Sequence, residues 1–201
     1  MEVRHILFPH DPNAKPLTAV RRMLIHSSIR EIQQLGYYER YCNLIRPQSL
    51  AQISELIGPG SMPIDLALEH YRACDELLLS EEQIYTAGLR AGDNIGDALL
   101  VASKQLSSGP ERSTRDMIGA FYRMSRRIYE GGSVQYVKLG SNVLQIENRL
   151  NPLFSVRYYR VAYGGFIRQG FSKVGIDVDN FRLSPYRPEH AEIDARIRWR
   201  E

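Results

Sequence analysis

The sequence predicts an α+β protein, a helical N-terminal half packed on a four-stranded antiparallel sheet with covering helices. Three observations lead there. The first hundred residues repeat apolar side chains at three- and four-residue spacing, the period of helices buried on one face. The second half reads in the order helix, strand, strand, helix, strand, strand. The last segment alternates without a break, with Ala191, Ile193, Ala195, Ile197 and Trp199 against Glu192, Asp194, Arg196, Arg198 and Arg200. One face of that strand is therefore buried and the other wet.

The chain opens on an arm, with Pro9, Pro12 and Pro16 breaking any regular element and Val3, Ile6, Leu7 and Phe8 free to dock on the body. From Leu17 the residues Val20, Leu24, Ile25, Ile29, Ile32 and Leu35 trace a helix stopped by Gly36. A short helix from Tyr37 to Ile45 is expected to close at Pro47, and a third to run from Ser49 to Ile57 before Gly58-Pro59-Gly60. The segment 61–78 reads as a helix with Ser61 as cap and Pro63 in the first turn. Ser80 and Gln83 form a capping box for a long helix to about Gln105. Gly88, Gly92 and Gly96 within it cost helix propensity, which points to close approach of another helix or a break near Gly92. Ser107-Ser108-Gly109-Pro110 marks the boundary between a helical subdomain, 1–110, and an α+β subdomain, 111–201, in one compact unit.

Ser113 then caps a helix from Thr114 to Tyr129, ended by Gly131-Gly132. Val134 to Leu139 and Asn142 to Glu147 form a hairpin around Gly140-Ser141. A helix from Leu153 is expected to stop at Gly170, with Gly164-Gly165 inside it as a packing contact. Two strands complete the fold, the first holding Ile176 and Val178.

With 201 residues, 43% hydrophobic and 24% charged, the chain has an ordinary globular composition. A net charge of +3 carries no polyanion signal, and the 22 arginines are spread along the chain rather than clustered. Glu31, Glu39 and Glu55 punctuate the short helices that a helix-turn-helix would need, so nucleic acid is not expected as a partner. No run of about 18 apolar residues is present, and the first sixteen residues lack a signal-peptide core, so neither membrane insertion nor secretion is expected. Two cysteines, Cys42 and Cys74, are too few for a disulfide scaffold, and a reducing cytoplasm is the expected location.

The helix RDMIGAFYRMSRRIYEGG, the hairpin SVQYVKLGSNVLQIEN, the helix PLFSVRYYRVAYGGFIRQGF and the strand AEIDARIRW follow one another in the second half. In that order they resemble the ligand-binding fold shared by haem–nitric-oxide-binding sensors, 4-vinyl-reductase domains and Golgi-tethering TRAPP subunits. GYYERYCNLI and MPIDLALEHYRACDELLLS extend the resemblance to an uncharacterised bacterial family over most of the chain. The resemblance implies a pocket for a small, partly apolar molecule, or a pairing surface. In haem-binding members a histidine on the helix before the hairpin ligates iron, and a Tyr-x-Ser-x-Arg motif holds the propionates. Here AFYRMSRRIYEGG has no histidine, while Ser155 and Arg157 match the last two motif positions. The cysteine-rich metal site of other relatives has no counterpart, since both cysteines precede residue 75.

The residues themselves nominate two groups. His70 and Cys74 lie four apart on one helix face, two soft-metal ligands that Cys42 or His26 would have to join to make a site. Tyr158, Tyr159 and Tyr163 combine apolar area with polar tips, which suits a pocket wall, and Arg157 beside them can meet an anionic head. No nucleophile elbow or phosphate loop is present, so catalytic residues are not assigned. The expected function is a non-catalytic cytoplasmic sensor or binding module for a small ligand, signalling through protein contacts. The alternatives are a homodimeric interaction module, and a haem protein ligated unconventionally through His70 or another histidine.

Overall fold

The structure, a computed structural model, describes residues 4–56, 58–104 and 113–200, the side chains of 94–104 excepted. Strand β1 (His5–Phe8) is followed by β2 (Ala19–Arg21), α1 (Arg22–Gln34), α2 (Tyr38–Leu44), α3 (Pro47–Glu55) and β3 (Ser61–Pro63). Helices α4 (Ile64–Asp75), α5 (Glu81–Lys104) and α6 (Thr114–Ile128) come next. Then β4 (Tyr129–Glu130), β5 (Ser133–Lys138), β6 (Val143–Arg149), a 3-10 turn, α7 (Arg157–Lys173), β7 (Val178–Leu183) and β8 (Ile193–Trp199) complete the chain. The architecture is α+β, as expected.

The main sheet is antiparallel, but it has five strands in the order β1-β5-β6-β8-β7 rather than four. The extra strand comes from the arm. Its four residues are too few to show a period-two pattern, and Pro9 ends it at the sheet edge, where a missing N–H costs nothing. A second small sheet, β3-β2-β4, joins the segment before α1 to the end of α6. Both sheets therefore combine strands from the two halves of the sequence. β8 carries the expected alternation, with Ile193, Ala195, Ile197 and Trp199 buried.

Several local expectations are corrected. The helix expected from Leu17 starts at Arg22, because Ala19–Arg21 pair as a strand with β3 and β4. Pro47 opens α3 at its first turn instead of closing α2, a position where its missing N–H would be unpaired anyway. Ser61 is a strand residue paired with Arg21, its hydroxyl bound to Glu130, and does not cap α4. Gly170 does not stop α7. It lies inside the helix, where a Cβ would meet the Phe121 ring at 2.3 Å, and the chain turns at Gly175 instead, with φ +92°. The capping boxes at Ser80–Gln83 and Ser113–Asp116 are both formed.

Helices α6 and α7 cover the inner face of the main sheet, and Phe121 stacks on Phe171 with ring centroids 4.3 Å apart. Behind α7 lies α5, which runs unbroken through Gly92 and makes more contact with α7 than any other two elements make. The glycines permit it. A Cβ on Gly88 would sit 1.9 Å from the Ala162 carbonyl oxygen, and one on Gly165 would sit 2.1 Å from that of Tyr85. The surroundings of Gly96 and the boundary expected at 107–110 lie outside the described residues.

Candidate functional site

His70 and Cys74 face inward from α4 into a fully buried polar chain. The Tyr41 hydroxyl is 2.9 Å from His70 Nδ1, and Cys74 Sγ is 3.5 Å from His70 Nε2. Ser28 continues the chain, its Oγ 3.8 Å from Cys74 Sγ and 3.1 Å from the Tyr158 hydroxyl. Tyr71 packs its ring against His70, Tyr158 and Tyr159. Burial holds the His70 imidazole neutral, its pKa brought down to about 3, with His26 acting in the same direction. Burial likewise pushes the Cys74 thiol well above its usual range. Both ring nitrogens of His70 are engaged, and neither His70 nor Cys74 lines the space between α5 and α7 or the cavity under the N-terminal arm. Among the described residues no group of three or more His, Cys, Asp or Glu is placed to hold a metal ion.

One consequence is checkable by thiol labelling. Cys42 is half-buried and Cys74 sealed, so a thiol reagent should label one cysteine in the folded protein and two after denaturation. Rapid labelling of Cys74 in the native state would contradict the sealed chain.

The tyrosines of α7 divide. Tyr158 ends the polar chain, and the Tyr159 hydroxyl bonds that of Tyr129 at 2.6 Å. With Tyr163 they border a space of about 30 Å³ between α5 and α7, room for on the order of one or two waters. Arg157 is drawn away, its guanidinium 3.9 Å from Asp75 and 3.8 Å from Glu81 at the corner between α4 and α5.

A larger cavity, about 380 Å³, lies elsewhere and falls within the size range of small-molecule sites. The arm roofs it from Asp11 to Thr18, while α6, α7 and the ends of β5 and β6 form the walls. Tyr163 is the one residue of the nominated set that borders it, and α4, which carries His70 and Cys74, contributes none of the lining. Side chains of β5 pin the start of the arm over the sheet. Ser133 Oγ is 2.8 Å from His10 Nδ1 and 3.2 Å from the Asp11 amide nitrogen, and the His10 amide donates to Gln135 at 3.2 Å.

The wall contains a residue the sequence reading passed over. Asn148, on β6, is 8% exposed and its amide nitrogen is buried without a hydrogen-bond partner. Tyr163 stands beside it, its phenol pushed well up by burial; the Asn148 amide lies near enough to act the other way, but outside hydrogen-bond geometry. Carrying the hairpin's alternation one step past Glu147 would have placed a polar residue on the apolar face.

Solved structures with this architecture cover nearly the whole chain. An Fe(II) unliganded H-NOX protein from K. algicida superposes with a TM-score of 0.63 at 12% identity, covering 90% of this chain and 97% of its own. The fold is that of the H-NOX domain. A T. tengcongensis H-NOX variant gives a TM-score of 0.52 at 10% identity, covering 88% of this chain and 96% of its own. The oxygen complex of an H-NOX domain related to soluble guanylate cyclases gives 0.51 at 11%, covering 89% and 94%. No family model matches the chain, and no curated sequence matches it.

The H-NOX-like fold raises haem as a cofactor, and the donor set here does not fit it. Neither histidine nor cysteine lines the 380 Å³ cavity, where the side chains of a type able to ligate iron axially are Tyr129 and Tyr163. Iron would need a tyrosinate, and burial drives both phenols the opposite way. His70 has both nitrogens occupied in the core.

Proposed function

We propose that this chain is a non-catalytic cytoplasmic sensor or binding module for a small, partly apolar ligand, held under the arm and signalled through protein contacts. The observation that carries this reading is the unpartnered Asn148 amide in the wall of a 380 Å³ cavity. A buried donor without a partner costs its full desolvation penalty, about 1–3 kcal/mol, so a cavity beside it is a natural place for the missing acceptor. The H-NOX-like architecture supports the same class of function. No helix among the described residues is long and apolar enough to cross a membrane.

Native mass spectrometry of freshly purified protein tests the reading. Excess mass that leaves on denaturation is expected, and it should be absent from Val134→Phe. Val134 lines the cavity as the cross-strand neighbour of Asn148, and a phenylalanine there fills space while suiting a strand. A bare 23.1 kDa chain would overturn the reading. A bare mass at twice that value would favour the second reading, a homodimeric interaction module. Ile6, 59% exposed on edge strand β1, is the observation behind that alternative.

A further inference from the structure

We infer that the ligand is an uncharged molecule whose carbonyl-type acceptor is received by the amide nitrogen of Asn148. The inference rests on the cavity being the binding site and names what it selects. The register of the main sheet places Val134, Asn148 and Ile193 side by side across β5, β6 and β8, on the inner face. The next row inward is Tyr136, Ile146 and Ala195, all buried. Asn148 is thus a donor set into an apolar surface, and Phe121, Phe166 and Ile167 complete the wall around it. Such a surface suits a compact hydrocarbon or aromatic body with one polar atom.

The surroundings of Asn148 favour a neutral ligand over an anion. The arginines that border the cavity are engaged with carboxylates, Arg126 with Asp11 at 3.8 Å and Arg149 with Glu192 at 3.1 Å. Glu130 bonds the Ser61 hydroxyl, and Lys15 is exposed in the arm. A carboxylate seated on Asn148 would be buried against neutral donors, which offset its lost hydration poorly. A ketone, lactone or amide carbonyl loses far less water and completes the same bond. The Tyr163 phenol, protonated at neutral pH, is a second neutral donor beside it.

Three probes of similar shape separate the possibilities: acetophenone, ethylbenzene and benzoate, titrated calorimetrically into the full chain and its variants. Acetophenone is expected to bind about tenfold more tightly than ethylbenzene, with benzoate weakest. Asn148→Leu, close in volume and apolar, should abolish the ketone's advantage while ethylbenzene still binds. That variant removes an amide nitrogen that is buried without a partner, so its melting temperature should not fall, which separates lost recognition from lost folding. An unchanged ketone-to-hydrocarbon ratio in Asn148→Leu, or benzoate as the tightest probe, would overturn the inference and leave the cavity standing as a site. Val134→Phe should exclude acetophenone and ethylbenzene alike. If both still bind that variant, or if no probe binds the wild type, the cavity reading itself fails and takes the inference with it.

Discussion

Gly165→Ala is expected to destabilise the protein by about 3 kcal/mol, at the top of the range for overpacking. The added methyl would lie 2.1 Å from the Tyr85 carbonyl oxygen and 2.7 Å from the Leu89 amide nitrogen. Both belong to the backbone of α5, so no side-chain rotamer can relieve the contact. The two helices would have to separate, and Gly88 against the Ala162 backbone shows the same closeness from the other side. Alanine's better helix propensity returns about 1 kcal/mol, already small beside the clash. For a chain of this length each kcal/mol moves the melting temperature by roughly 2–4 °C, so a fall of roughly 6–12 °C is expected in a calorimetric scan. Gly140→Ala is the control, because nothing lies within 4 Å of a Cβ there and its φ is not in the left-handed region. Equal melting temperatures for the two variants would remove the close helix crossing as a determinant of stability.

Much of this crossing was legible in the sequence, and its partner was not. Glycines at 88 and 92 announce that a helix face is kept bare, but helical spacing does not say which element approaches it. The same limit explains the arm. A four-residue strand gains its identity from the β5 edge it meets, not from its own pattern, so one strand of the sheet could not be counted in advance. β8 was readable because seven residues repeat one alternation, enough for the pattern to outweigh any local preference. Gly170 misled because glycine within a helix and glycine after one look alike until Phe121 is known to cross there.

For the site, spacing correctly put His70 and Cys74 on one face of α4, but a face shared by two ligand-type residues points equally well into a core or a pocket. Ala67 and Tyr71, both buried on the same helix, belong to the core around them. Asn148 carried a readable signal, a polar residue in phase with Leu144 and Ile146, and the turn at Leu150 to Asn151 just beyond it obscured the end of the strand. What made it functional in appearance is tertiary. The arm must close over the hairpin before the cavity exists.

The buried imidazole sets the second large effect. His70 titrates near 3 in the folded protein and near 6.5 when unfolded, so between those values the unfolded chain binds the extra proton. Stability therefore rises with pH through this window and is lost progressively as pH falls below about 6.5, reaching roughly 4 kcal/mol by pH 3 from this one residue. His70→Asn should flatten that slope. Asparagine keeps a polar atom near the Tyr41 hydroxyl but does not titrate, so the variant is expected to be less stable than wild type at pH 7 and to lose less on acidification. Denaturant unfolding at pH 7, 5.5 and 4 reads the two slopes directly. Glu69 acts in the same sense lower down. Bonds from Arg46 hold its carboxyl at about 2, and the stability it contributes is lost as pH falls toward that value. Because Glu69 is present in both proteins, the difference between them isolates the imidazole. Parallel pH profiles for wild type and His70→Asn would mean that His70 can gain a proton without disturbing its contacts, which a ring closed in by Tyr41, Tyr71 and Cys74 does not allow.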